Sequence, residues 1–147
     1  MFNLIIGFLL VSSAPNFEIL RDYGVDPCFG KAVAVVESGW NHDSNLAINK
    51  NNIFGMHGMS FNSVDECIHY FGVLMNKPIY KAKSIDEIGR IYCPANAFNW
   101  SEKVKAVMAK ISGKWGGVSC TGNTIRERRR HVEFNLILNG KRLVTWS

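Results

Sequence analysis

Glu37 is the residue whose surroundings point to chemistry. It closes the apolar run Ala32-Val33-Ala34-Val35-Val36 and precedes Ser38-Gly39-Trp40, so its carboxyl stands at the end of an apolar stretch. A carboxylate placed there loses hydration, and that loss favours the protonated form. This is the condition for a general acid. A glycosidic oxygen leaves poorly until it is protonated, so cleavage of a glycan needs a carboxylic acid that still holds its proton near working pH. For Glu37 taken alone, the plain alternative is a helix-end carboxylate facing solvent or paired with Lys or Arg.

The element that carries Glu37 is well punctuated. Asp26 is a capping residue, Pro27 suits a first helical turn and Gly39 suits a stop, so a helix is predicted between them. Phe29, Ala32, Val33, Ala34, Val35 and Val36 cover nearly every face, which places this helix inside the domain rather than on its surface. Before it, Phe17, Leu20 and Tyr23 at helical spacing end at Gly24. After it comes a polar loop from Asn41 to Asn52. Ser63 and Glu66 then form a capping box for a helix with Val64, Cys67, Ile68, Phe71, Leu74 and Met75 on one face. Ser84 and Glu87 repeat the box before Ile85, Ile88 and Ile91, and a last helix carries Val104, Val107, Met108 and Ile111. The fold class expected is mainly α.

The chain has 147 residues, 47% hydrophobic and 20% charged, which is one globular domain with a core of its own. Its formal charge of +5 favours a polyanionic partner, without choosing among cell wall, nucleic acid and membrane. Residues 1–14 read as a signal or anchor segment, since Met1 to Val11 is apolar apart from Asn3 and Ser12-Ser13-Ala14 is a small-residue cleavage pattern. A buried first helix is the alternative, because the segment has no Lys or Arg and Pro15 follows the cut. Residues 15–120 form the expected catalytic domain. Residues 121–147 hold the basic run Arg126 to Arg130 and a β-hairpin, with Phe134 to Leu138 and Lys141 to Trp146 joined by Asn139-Gly140. No aromatic is interleaved with the basic run, so nucleic acid is not an expected partner.

Cys28, Cys67, Cys93 and Cys120 match no zinc spacing, and neither a metal nor another cofactor is expected. In an exported protein they allow two disulfides in any of three pairings; in a reducing compartment they are buried thiols.

Two motifs carry a resemblance: Glu37-Ser38-Gly39-Trp40, then Asn51-Asn52-Ile53-Phe54-Gly55. The pair resembles the E-S-G-[W/F] and N-N-[L/I]-F-G words of the bacterial and phage glucosaminidases of glycoside hydrolase family 73, in the lysozyme-like superfamily. Phe61 to Ile68 is similar to the family's helix-opening segment. Tyr92-Cys93-Pro94 with Trp100, Val104 and Met108 is similar to its closing segment. The resemblance spans about Phe17 to Ile111 and implies a lysozyme-like helical domain that cuts bacterial peptidoglycan, with Glu37 as catalytic acid and Ser38 shaping the turn beside it. It further implies that Asn51, Asn52 and Phe54 line the substrate groove and that Tyr92 lines the active site. Read as residues alone, Asn51-Asn52 also fits a loop turn, Phe54 a core anchor and Tyr92 a packed ring with one hydroxyl bond.

The sequence departs from the family where a β-rich lobe usually follows the second motif, often with a second acidic residue. Here only Met56 to Asn62 intervene before the next helix, and they contain no carboxylate. Asp43 and Asp65 are the nearest acidic residues, one in a polar loop and one in a first helical turn. A single-acid mechanism is therefore expected, either hydrolysis assisted by the substrate's N-acetyl group or attack by the muramic 6-hydroxyl as in a lytic transglycosylase. A muramidase on the same scaffold is a further enzymatic reading. A wall-binding or virion structural module without turnover is the reading from another class. The expected protein is a secreted, periplasmic or virion-associated monomer, with weak membrane association through its N-terminal segment.

Overall fold

The computed structural model describes residues 14–114, so the N-terminal apolar segment, the basic run and the C-terminal hairpin lie outside the described residues. A 3₁₀ segment, Phe17–Tyr23, leads into α1 (Pro27–Ser38), α2 (Asn45–Lys50), α3 (Val64–Met75), α4 (Ile85–Tyr92) and α5 (Ala97–Lys114), with a second 3₁₀ turn at Pro94–Asn96. No strand occurs among the described residues, which agrees with a mainly α domain of reduced β lobe.

Helix α1 is the axis of the domain. The Asp26 side chain accepts from the Cys28 amide at 2.9 Å, Pro27 occupies the first turn, and the Gly39 amide closes the helix on the Val35 carbonyl at 2.8 Å. Its residues Phe29, Ala32, Val33, Ala34 and Val35 are all buried, because α1 packs against α5 on one side and the first 3₁₀ segment on another. That segment also lies on α3, and α4 packs on α5.

Aromatic rings fill the interior between α1, α3 and α4. Phe54 stacks face to face on Phe71, with centroids 4.0 Å apart and planes 4° from parallel. Phe17, Phe29 and Tyr92 meet the same pair at 6.2–6.4 Å. Burial of each phenyl side chain stabilises the fold by about 1.5–3 kcal/mol.

The capping boxes form with one difference. Both arms close at Ser84 and Glu87. At α3 the Ser63 hydroxyl accepts from the Glu66 amide at 3.1 Å, but the Glu66 carboxylate returns to the Asn62 amide, at 2.6 Å, rather than to that of Ser63. Two expectations need correction. The loop from Asn41 to Asn52 contains helix α2, capped by the Ser44 hydroxyl on the Ala47 amide. Its signal lies in that cap, because Leu46 and Ile48 are exposed and only Ala47 is buried, so no apolar face announces it. Nor do the four cysteines make two disulfides: Cys28 is disulfide-bonded, while Cys67 and Cys93 keep free thiols.

A close approach joins α3 to the first 3₁₀ segment. A Cβ on Gly72 would clash with the edge of the Tyr23 ring at Cγ and Cδ2, the end of the ring nearer its own backbone. Asn76 holds the approach by donating to the Tyr23 carbonyl at 2.8 Å and the Gly72 carbonyl at 2.9 Å. Helix propensity alone would make Gly72→Ala stabilising by about 1 kcal/mol, whereas overpacking costs about 1–3 kcal/mol. The ring cannot swing clear without moving its chain, so a net loss of stability is expected, read as a lower urea midpoint at unchanged slope. A midpoint equal to or above that of the parent protein would show that the approach is not tight.

Candidate active site

Glu37 sits on the last turn of α1, half-buried, with its two oxygens in different settings. Oε1 accepts a hydrogen bond from Trp100 Nε1 of α5 at 2.7 Å. Oε2 faces the backbone of Gly55, where a Cβ would stand only 2.7 Å away. Gly55 also has φ +65°, a conformation that favours glycine. The residue type at position 55 is thus dictated twice, once by the turn and once by the carboxyl beside it.

Burial raises the pKa of Glu37, and the Trp100 bond opposes the rise without cancelling it. Neither cause is another carboxylate. Asp43 and Asp65 are both exposed, and neither is among the causes that shift Glu37.

Tyr92, at the end of α4, completes a closed circuit around the acid. Its hydroxyl donates to the Phe54 carbonyl at 2.6 Å, and its ring lies 5.4 Å from that of Trp100. Burial, followed by the charge of Glu37, holds the phenol far above its ordinary pKa, so it stays a neutral donor. The circuit runs from Glu37 to Trp100, across to Tyr92, down its hydroxyl to Phe54, and through Gly55 back to Glu37. Helices α1, α4 and α5 each contribute one member, and the loop after α2 contributes two.

Three of the residues expected to line the groove have other roles. Asn52 is wholly buried, and its amide is fully engaged: Nδ2 donates to the Met56 carbonyl at 2.7 Å and the Met59 carbonyl at 3.1 Å, while Oδ1 accepts from the Met56 amide at 3.0 Å. Phe54 is wholly buried against Phe71. Both side chains are enclosed rather than on a groove surface, and they serve as turn pin and core anchor. Asn51 caps α2 with φ 50° and donates to the Phe61 carbonyl at 2.9 Å, which ties the same loop at its other end. Ser38 is buried and donates to the Ala34 carbonyl at 2.7 Å, in keeping with a residue that shapes the turn.

Sequence reasoning passed over two side chains here. Trp100 was noted only as part of a motif, although a tryptophan on an apolar helix face has an N–H that must find an acceptor. Trp40, three residues past Glu37, is 51% exposed and presents a large aromatic surface to solvent.

The helical domain thus holds a half-buried carboxyl bonded to an indole N–H, with no cation among the causes that shift it. The chain belongs to the glucosaminidase family: the family model described as Mannosyl-glycoprotein endo-beta-N-acetylglucosaminidase matches residues 16–113, two thirds of its length. Comparison with curated proteins finds no match.

The raised pKa of Glu37 has a consequence for stability. Between the unfolded and folded pKa values the native state binds the proton more tightly, so ionisation of Glu37 works against folding as pH rises through that window. Glu37→Gln keeps an acceptor for Trp100 and carries no charge. Its melting temperature is therefore expected to exceed that of the parent at pH 7, with the difference shrinking towards pH 4. A difference that grows on acidification would mean that the folded carboxyl is more acidic than the unfolded one.

Proposed function

We propose that the chain cuts the glycan strand of bacterial peptidoglycan after N-acetylglucosamine, with Glu37 as its general acid. The observation that carries this reading is the Glu37 carboxyl, held half-buried between Trp100 and Gly55 with its proton affinity raised. The family supplies the reaction class, endo-β-N-acetylglucosaminidase action. A charge of +5 suits the polyanionic wall, and exposed Trp40, three residues past Glu37 in the chain, offers a stacking face for a pyranose ring.

Among the described residues no carboxylate is a cause of the Glu37 shift, which supports a nucleophile drawn from the substrate. The carbonyl oxygen of the N-acetyl group attacks the anomeric carbon and closes an oxazolinium ring, whose nitrogen keeps its hydrogen. The bond to the leaving sugar breaks as Glu37 gives its proton to the departing oxygen. Glu37, now ionised, takes a proton from water, whose oxygen opens the ring and restores the acetamide. A nucleophile already attached to the substrate is positioned by binding itself, which is why one enzyme carboxyl suffices.

Glu37→Gln is expected to lower the rate of wall solubilisation by about a hundred- to ten-thousandfold, in a variant that melts no lower than the parent. Mass spectrometry of the released fragments identifies the bond. Reducible N-acetylglucosamine ends support the reading. Fragments ending in 1,6-anhydromuramic acid would redirect it to the transglycosylase route, and release of glycans from a mannosyl-glycoprotein alone would reject the wall as substrate. Near-parental lysis by Glu37→Gln would remove Glu37 from the mechanism.

Trp100→Phe tests how the acid is tuned. Losing the indole donor removes the interaction that lowers the Glu37 pKa, so the alkaline limb of the pH–rate profile, where the acid loses its proton, is expected to move to higher pH. A shift to lower pH would contradict this account.

A further inference from the structure

The segment just beyond Glu37 holds a side chain that the proposed reaction does not use. His42 has φ 50°, in the left-handed region, where a non-glycine residue is strained. Its ring is half-buried, 6.1 Å from that of Phe17, and its Nδ1 lies 2.7 Å from the Ser38 hydroxyl. Ser38 is 3% exposed and adjoins Glu37 in the chain.

The direction of these bonds follows from the count of hydrogens. A serine hydroxyl has one, and that of Ser38 points to the Ala34 carbonyl at 2.7 Å. Towards His42, Ser38 must then be the acceptor, so Nδ1 carries the proton and donates. Burial and nearby Lys31 lower the pKa of His42, in keeping with a neutral ring. The result is a relay from His42 Nδ1–H to Ser38 Oγ–H to Ala34 O, which locks the last turn of α1 to the loop that leaves it. The His42 amide adds a bond to the Gly39 carbonyl at 3.1 Å.

We propose that His42 is a positioning residue: through Ser38 it fixes the turn that aims the Glu37 carboxyl between Trp100 and Gly55. With the backbone at position 42 in this strained conformation, the imidazole reaches Ser38. The inference rests on Glu37 being the acid, and a misplacement of about 1 Å at an acid can lower turnover by about a hundredfold.

Two substitutions separate the side chain from the backbone. His42→Gly relieves the left-handed strain but removes the donor. His42→Asn tolerates the same conformation and places an amide N–H where Nδ1 stood. With solubilised peptidoglycan strands, His42→Gly is expected to lose about ten- to a hundredfold in kcat with KM changed by less than about twofold, and His42→Asn to recover most of the loss. Ser38→Ala breaks the relay at its centre and should match His42→Gly, and the double variant should be no worse than either single one. A reading independent of turnover is the indole N–H resonance of Trp100 in a ¹H–¹⁵N spectrum, assigned by its loss in Trp100→Phe. It reports the bond to Glu37, and it should move in His42→Gly and Ser38→Ala but stay in His42→Asn.

Parental kcat and an unmoved Trp100 resonance in His42→Gly would overturn the proposal, as would equal losses in the Gly and Asn variants or additive losses in the double variant. Turnover retained by Glu37→Gln would instead strike the reading of Glu37, and the Trp100 resonance would still decide whether His42 holds that carboxyl in place.

Discussion

The hydrogen bond from Trp100 to Glu37 is the contact around which the domain is arranged. A cation in place of the indole would satisfy the carboxyl better, and for that reason would spoil it: a Lys or Arg partner favours the ionised form and pulls the pKa down. The indole supplies one N–H, no charge and a large apolar body that shields the carboxyl from water. Burial therefore outweighs the bond, and the proton affinity of Glu37 stays raised. Everything else the site needs follows from keeping that carboxyl half out of water. Helix α1 must be buried on its flanks, Tyr92 must back the indole, and the chain after α2 must cross Oε2 at a residue without a side chain.

The last requirement explains the loop. A crossing chain that is neither helix nor strand leaves amides and carbonyls without regular partners, and each buried one left unpaired costs about 1–3 kcal/mol. Asn52 takes the place of a neighbouring strand. Its single amide satisfies both Met56 backbone groups and the Met59 carbonyl, while Asn51 holds the Phe61 carbonyl. The Tyr92 hydroxyl takes up the Phe54 carbonyl. Five hydrogen bonds thus hold a short irregular segment against the acid, and Phe54 in its middle is anchored by stacking on Phe71.

How much of this was legible in the sequence depended on whether the cause was local. Helix starts were readable because a cap and its first turn lie within four residues, as at Asp26-Pro27, Ser63 and Ser84. The all-round burial of α1 was readable because its composition has no polar face, and Glu37 stood out against it. Side-chain direction in the loop was not. Asn51, Asn52 and Phe54 read equally well as groove residues and as loop supports, because what separates them is which way each points once Met56, Met59, Phe61 and Phe71 have arrived from elsewhere in the chain. Trp100, 63 positions from its acceptor, left no local trace of its bond to Glu37. Helix α2 was hidden for the opposite reason, since with one buried residue it has no periodicity to detect.

The distribution of strain follows the same logic. Of the three non-glycine residues with positive φ among the described residues, His42 and Asn51 lie in the stretch that joins Glu37 to Gly55, as do the left-handed glycines Gly39 and Gly55 itself. Left-handed residues turn the chain sharply. Here they fold a segment of under twenty residues back so that its end meets the carboxyl from which it departed. Backbone of this kind holds its shape only where its surroundings over-determine it. The restraints are the Ser38 relay at one end, the Asn52 amide at the other and the aromatic stack beneath. Glu37 belongs to the same balance, since a half-buried carboxyl is itself a local penalty that the apolar interior offsets. The part of the molecule that departs most from regular structure is thus the part that meets the acid, and it is held there by the most regular part, a helix buried over most of its surface.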